Sequence, residues 1–482
     1  MKTELLDFAK VLARKSLSGE LAIFAGAGLS ASVGFVDWTT LLAPFAKELN
    51  LDATKERDNL VRLAQYSQNS KCGHRHHLNE ALIKAFPVMK APSTNHEILA
   101  RMPIETYWTT NYDKLIETSL RDARKIVDVK WKDSQLPNTV PHRHSVVYKM
   151  HGDVESAGEA VLTRDDYEKY SREHPGFINA LVGDLTVKTF LFIGFSFSDP
   201  NLDSILSEVR QRYHAGQREH YCLLRAVKRG DYKTKAEYEY AGARQRHFTT
   251  DLRRFNITAI VVDEYSDITE FLSTIERLQS RNAVFVSGSA HEYGPWPTDE
   301  AEAFVRAIGS LLVDLKLKVI TGMGQGIGNL VVSGTVERIY GSGAGSLDSY
   351  LEVRPFPMSL AAGTDRDVIW TKYRTELLQK AGIVLFIFGN KQEGGNTVNA
   401  AGLLEEFEIA IARGALPVAI GGTGFAYADI ATSVLNDFEK YYPKTDKLAK
   451  EVLTRLAKPA KTLAEHLPDI RILLSHLSKD YT

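Results

Sequence analysis

Cysteine is scarce in this 482-residue sequence, which contains only Cys72 and Cys222. Two thiols cannot build a disulfide framework or a four-cysteine zinc site. Net charge is almost absent too, with 59 basic residues against 60 acidic ones. That balance removes the electrostatic basis for a nucleic-acid or membrane surface, and neither partner is expected. No apolar run reaches the roughly 18 residues of a membrane span. The opening Met1-Lys-Thr-Glu-Leu-Leu-Asp-Phe-Ala-Lys mixes charge with apolar residues, unlike a signal peptide. Together these absences predict a cytoplasmic protein. The cluster Cys72, His74, His76 and His77 has the residue types of a metal site but no second ligand pair. It reads as a solvated turn, and no metal is expected.

What remains is an ordinary globular composition, 44% hydrophobic and 25% charged, on a chain too long for one core. Domains of roughly 100–200 residues predict two or three of them. The first organising stretch is Leu21-Ala-Ile-Phe-Ala-Gly26-Ala27-Gly28-Leu-Ser30, a buried strand running into a glycine turn and a helix. Small residues there let the backbone approach a ligand closely, and amide groups at the helix start can face a diphosphate. The same turn also serves simple strand-to-helix packing.

Three later strands end in polar loops. Glu105-Thr-Tyr-Trp-Thr-Thr-Asn111-Tyr-Asp113 leads into a helix near Lys114, and Ser145-Val-Val-Tyr-Lys-Met-His151-Gly-Asp153 closes on His-Gly-Asp. Thr189-Phe-Leu-Phe-Ile-Gly194-Phe-Ser196-Phe-Ser-Asp199-Pro200 opens into a glycine and serine loop. A parallel α/β sheet places its chemistry at such strand ends, and a histidine there is a general-base candidate. Taken alone, Asn111 or Asp113 reads as a helix cap. Residues 51–101 look largely helical, broken near Pro87 and Pro92, and predict a helical insertion on a doubly wound parallel sheet.

Near Ser280 the pattern restarts with the strand Asn282-Ala-Val-Phe-Val-Ser287-Gly288-Ser289. A helix over 298–315, a strand Lys318–Thr321 and the loop Gly322-Met-Gly-Gln-Gly-Ile-Gly328 follow. Another strand reaches Phe388-Gly389 and a loop, Asn390-Lys391-Gln-Glu-Gly-Gly-Asn-Thr397, ahead of a helix that carries Glu405 and Glu406. The expected architecture is therefore two Rossmann-like α/β domains, over 1–280 and 281–482.

Gly26-Ala27-Gly28-x-Ser30, Thr110-Asn111-Tyr112-Asp113 and His151-Gly152-Asp153 resemble the NAD-binding motifs of sirtuins in type, order and strand-end placement. The resemblance implies a domain that takes NAD as substrate. It implies that Asn111 orients a water or the ribose hydroxyls, that His151 is the general base, and that Asp113 holds the ribose side. Gly26, Ala27, Gly28 and Ser30 would take the diphosphate, with Gly194 and Ser196 on the neighbouring loop. Sirtuin deacylases carry a four-cysteine zinc ribbon that this sequence lacks, so hydrolysis of NAD to ADP-ribose and nicotinamide is expected in place of deacylation. The alternatives are a non-catalytic nucleotide sensor and a zinc-free deacylase or ADP-ribosyltransferase.

The second half is similar to the SLOG family at Ser287-Gly288-Ser289, Thr321-Gly322-Met-Gly324 and the Gly394-Gly395-Asn396-Thr397 loop followed by Glu405 or Glu406. Enzymatic members show Pro-Gly-Gly-x-Gly-Thr where this sequence reads Glu393-Gly-Gly-Asn-Thr397, which favours ligand sensing. Gly288, Ser289, Arg374, Lys391 and Glu406 are the candidate ligand residues, cations for phosphates and a carboxylate for ribose hydroxyls. Those three charges read equally as surface charges on helices. A sirtuin-like domain followed by a SLOG domain resembles the NADase effectors of Thoeris anti-phage defence. That resemblance implies a homotetramer switched on by a cyclic ADP-ribose isomer from a TIR-domain partner.

Overall fold

The computed structural model describes residues 3–56, 60–87, 90–197, 199–213, 216–343, 345–357, 359–361 and 363–478. The chain divides into two compact units, Met1–Glu276 and Arg277–Thr482.

The first unit is built on seven strands: β1 (Leu21–Ala25), β2 (Thr106–Thr109), β3 (Val127–Lys130), β4 (Ser145–Lys149), β5 (Thr189–Ile193), β6 (His220–Arg225) and β7 (Ile257–Val262). They form one parallel sheet in the order β3-β4-β2-β1-β5-β6-β7. Leu-Ala-Ile-Phe-Ala in β1 and Thr-Phe-Leu-Phe-Ile in β5 are buried at every position, as expected of central parallel strands covered on both faces. Phe24, Trp108, Phe177, Phe190 and Phe192 pack one side of the sheet. The predicted insertion is the helices Leu60–Ser70, His76–Ala85 and Thr94–Arg101, and Leu63, Leu78 and Leu82 seal a separate apolar cluster with Leu42 and Tyr112.

From β1 the chain builds one flank through β2, β3 and β4, then crosses back to lay down β5, β6 and β7 on the other. Strand order reverses at β1, and such a reversal opens a crevice at the carboxyl ends of the strands. The ends of β4, β2, β1 and β5 are neighbours there. Strand β3 is absent from the sequence reading because Val-Asp-Val-Lys lacks an apolar run. Its Asp128 and Lys130 are buried as a pair at 2.8 Å, with Arg143 also on Asp128. Cys72 is exposed, His76 pairs with Glu80, and His77 bonds Ser67 at 2.9 Å. Among the described residues no group of three or more His, Cys, Asp or Glu side chains is arranged to hold a metal ion, and no helix is long and apolar enough to cross a membrane.

The second unit carries β8 (Ala283–Ser289), β9 (Lys318–Thr321), β10 (Leu351–Val353), β11 (Ile383–Phe388), β12 (Asn390–Glu393), β13 (Asn396–Asn399) and β14 (Leu416–Ala419). Five of them make a parallel sheet in the order β10-β9-β8-β11-β14. The stretch 390–397 departs from expectation: β12 and β13 pair as an antiparallel hairpin where the sequence reads as a loop. Gly394 and Gly395 both have positive φ, 58° and 85°, which is the backbone a two-residue hairpin turn requires.

Candidate active site

The glycines after β1 meet the loop after β5. The Gly26 and Gly28 amides donate to Ile193 and Gly194 carbonyls, each at 2.9 Å. A Cβ on Gly26 would lie 2.4 Å from the Gly194 oxygen, and one on Gly194 (φ +64°) would lie 2.2 Å from the Leu29 nitrogen. These glycines are required where two loops interlock, a reason distinct from close approach to a ligand. Ala27, Gly28 and Ser196 remain exposed on the lip, whereas Gly26 and Ser30 are buried beneath it. Ser198 of this loop lies outside the described residues.

Asn111 stitches β2 to that lip. Its Nδ2 donates to the Gly26 carbonyl and to Ser30 Oγ, both at 3.1 Å. Its amide donates to Thr109 Oγ1, which in turn donates to the Ala25 carbonyl, both at 2.9 Å. The structure thus joins Gly26, Ser30 and Asn111 directly. Asp113 stands apart from them: it is buried, and its Oδ1 accepts from the Leu115 amide at 3.0 Å, closing a turn that leads into the helix Leu115–Asp122.

His151 ends β4 and is 2% exposed. Its Nε2 lies 3.0 Å from Asp199 Oδ2, and its ring stands edge-on to Tyr167 with centroids 5.3 Å apart. Asp199 is fixed twice more, accepting at Oδ1 from the Leu202 amide at 2.9 Å and at Oδ2 from the Tyr167 hydroxyl at 3.2 Å. Burial alone would push its carboxyl up, but the neighbouring His151 ring and these donors hold it below its usual value.

Beneath the two strand ends lies Lys149, with no exposed side-chain surface. Its ammonium donates to the Tyr112 and Asp113 carbonyls at 3.2 and 2.6 Å, and to Glu117 and Asp153 at 3.1 and 2.6 Å. Burial works against the charge, yet Glu117 and Asp153 hold the ammonium above its usual range. One cation therefore fixes the loop that carries Asn111 to the strand that carries His151. Asp199, Tyr167, Lys149 and Glu117 escaped the sequence reading. Asp199-Pro200 signals only a helix start, and nothing in its spacing points to His151.

In the second unit Ser287 Oγ donates to Glu406 Oε2 at 2.6 Å and meets the Tyr427 hydroxyl at 2.7 Å. Arg374 lies 3.6 Å from Glu406, pairs with Glu405, and stacks over Phe356 and Trp370 at 5.2 and 5.5 Å. Arg374 and Glu406 thus converge at the end of β8. Arg374 is only 9% exposed, unlike a charge on a solvated helix face. Ser289 bonds the Asn390 carbonyl at 2.8 Å, and a Cβ on Gly288 would meet Ile327 at 2.9 Å. Lys391, on β12, is half-exposed and pairs with Glu393 at 2.7 Å. Burial pushes the Glu406 carboxyl up to about 7, with Ser287 and Arg374 pulling the other way. A carboxyl raised in the fold contributes stability that is complete below its unfolded value near 4.5 and is lost as pH rises through about 7. Melting temperatures between those limits should therefore fall with rising pH, and Glu406→Gln should flatten that slope.

The model of the Sir2- and TIR-associating SLOG family matches residues 267–477, and a SIR2-like domain model matches residues 105–245. A Bacillus cereus (strain MSX-D12) protein named NAD(+) hydrolase ThsA is 44% identical over 458 residues, 95% of each chain. One of the same name from Acinetobacter baumannii (strain 532279) is 43% identical over 455 residues, 92% of this chain and 94% of the other. Defense-associated sirtuin 2 of Bacillus subtilis is 28% identical over 219 residues, 44% of this chain and 21% of that one.

Proposed function

The chain belongs to the NAD(+) hydrolase ThsA family, and on that premise we propose that it cleaves NAD at the β1–β2–β4–β5 strand ends, under the control of a nucleotide bound to its second half. The observation that carries this reading is that Asn111, after β2, is hydrogen-bonded to Gly26 and Ser30 after β1, while His151 follows β4, the strand paired with β2. Breaking the nicotinamide–ribose bond sends the bonding pair to the pyridine nitrogen and leaves an oxocarbenium-like centre. Water then bonds to that carbon and loses a proton, giving ADP-ribose, nicotinamide and H⁺. The leaving group is already neutral, so the protein's task is positioning and electrostatics.

His151 takes the proton of the water or of a ribose hydroxyl, and Asn111 orients that group. The exposed Ala27 and Gly28, with Ser30 below them and Gly194 and Ser196 opposite, hold the diphosphate. Asp113 bears on the ribose side through the turn it closes. Residues 1–280 form the NAD-cleaving domain and residues 281–482 the sensing domain. The signal is a cyclic ADP-ribose isomer made by a TIR-domain partner, acting on a cytoplasmic homotetramer in anti-phage defence. Such a ligand activates only by binding the active state more tightly than the inactive one.

The test is release of nicotinamide from NAD by the full chain, with and without cyclic ADP-ribose isomers. Activation by one isomer supports the reading; intact NAD with every isomer sinks it. Arg374→Ala removes a cation with two aromatic supports and two carboxylate partners. It should weaken binding of the activating isomer by about 10-fold or more in calorimetry, the scale of a charge-assisted contact. Unchanged affinity would exclude Arg374 from the sensor site.

A further inference from the structure

We propose that Asp199 is a positioning residue for the hydrolysis: its carboxylate, set against Nε2 of His151, keeps the ring proton on that nitrogen, which leaves Nδ1 as the nitrogen that takes the proton from water or a ribose hydroxyl. The inference rests on His151 being the base and extends that reading to a residue on another strand end. Three features of the geometry point to it. Asp199 Oδ2 lies 3.0 Å from His151 Nε2. The His151 side chain is 2% exposed and that of Asp199 8%, so water does not screen the pair. Asp199 is also immobilised by the Leu202 amide at one oxygen and by the Tyr167 hydroxyl at the other.

A neutral imidazole carries one proton, and the group accepting that proton decides which nitrogen keeps its lone pair. Neither ring nitrogen makes a well-aligned hydrogen bond within the protein, so the choice between them rests on the Asp199 carboxylate 3.0 Å from Nε2, whose charge favours the proton there and leaves Nδ1 as the basic nitrogen. As Nδ1 takes up a proton the ring becomes cationic, and Asp199, already ionised, stabilises that charge without accepting the proton itself. The proton passes from the attacking oxygen to Nδ1 and then to solvent, so no further reactant is needed. The same carboxylate caps the helix Pro200–Tyr213, and that purely architectural duty is the rival explanation of its placement.

Substitutions separate the two duties, because asparagine and serine cap helices about as well as aspartate but carry no charge. In the full chain, under the conditions giving the unaltered protein its highest rate, Asp199→Asn should keep its melting temperature. Its KM for NAD should stay within about 2-fold while kcat falls by about 10²-fold or more, the lower scale of a lost base. Asp199→Ser should behave alike, and Asp199→Glu should recover part of kcat. If the asparagine and serine variants keep full kcat while His151→Ala is inactive, Asp199 is a cap alone and the proposal is overturned, with the role of His151 intact. A rise in kcat in either variant overturns it as well, since Asp199 would then be blocking His151. Full turnover in His151→Ala removes the underlying reading, and that single variant identifies which of the two has failed.

Discussion

Alanine at Asn111 or at His151 is expected to lower nicotinamide release by about 10²- to 10⁴-fold, the scale of a lost base or a lost orienting group. His151 is the basic group at the crevice edge that ends β4, and a methyl group cannot replace its ring nitrogen. Asn111→Ala removes the two Nδ2 bonds that hold the Gly26 carbonyl and Ser30 Oγ. Both acceptors belong to the lip proposed to receive the diphosphate, so KM should rise along with the fall in kcat. His151→Ala should act on kcat alone. Two residues that serve one step are not additive, so the double variant should be little worse than the poorer single one. Full turnover in both single variants would show that the crevice edge is not the reacting site.

Lys149→Met should give the largest loss of stability from one substitution, about 3–5 kcal/mol, because it leaves buried charges without their partner. Glu117 and Asp153 would face each other across an apolar side chain, and the Tyr112 and Asp113 carbonyls would each lose a charged donor. For a unit of this size that energy lowers the melting temperature by roughly 6–20 °C in calorimetry. Adding Glu117→Leu to Lys149→Met should recover part of the loss, since replacing both members of a buried pair is less damaging than removing one. A stability close to that of the unaltered chain would mean that the ammonium contributes nothing net to holding the two strand ends.

Much of this architecture can be read directly from the amino-acid order. The strands β1, β2, β4 and β5 announce themselves as apolar or β-branched runs ending in glycine or polar residues, so Gly26, Asn111 and His151 fall at strand ends without coordinates. The SLOG resemblance falls on the half that a family model matches over 267–477, and the sirtuin-type resemblance on the half in which a SIR2-like model matches 105–245. What stays hidden depends on pairing across the sheet. Strand β3 is disguised by Asp128 and Lys130, charged residues that are buried only because they meet each other and Arg143. Asp199 faces His151 across the ends of the two strands, β2 and β1, that separate β4 from β5, and no local pattern encodes that meeting. Lys149 looks like any strand-end lysine until the carbonyls of the neighbouring loop close over it.

The placement of the site on four neighbouring strands bears on how the chain is made. Strand β1 hydrogen-bonds to both β2 and β5, and the loop that interlocks with Gly26 and Gly28 begins only at Gly194. A chain emerging from the ribosome can pair β1 with β2 early, but the crevice has no opposite wall until β5 and its loop have been synthesised and have threaded back beside β1. Non-local parallel pairing of this kind forms slowly. A ribosome-bound fragment that stops short of the Gly194 loop therefore has no complete site with which to destroy the producing cell's own dinucleotide. Destructive chemistry is withheld from the nascent chain by topology.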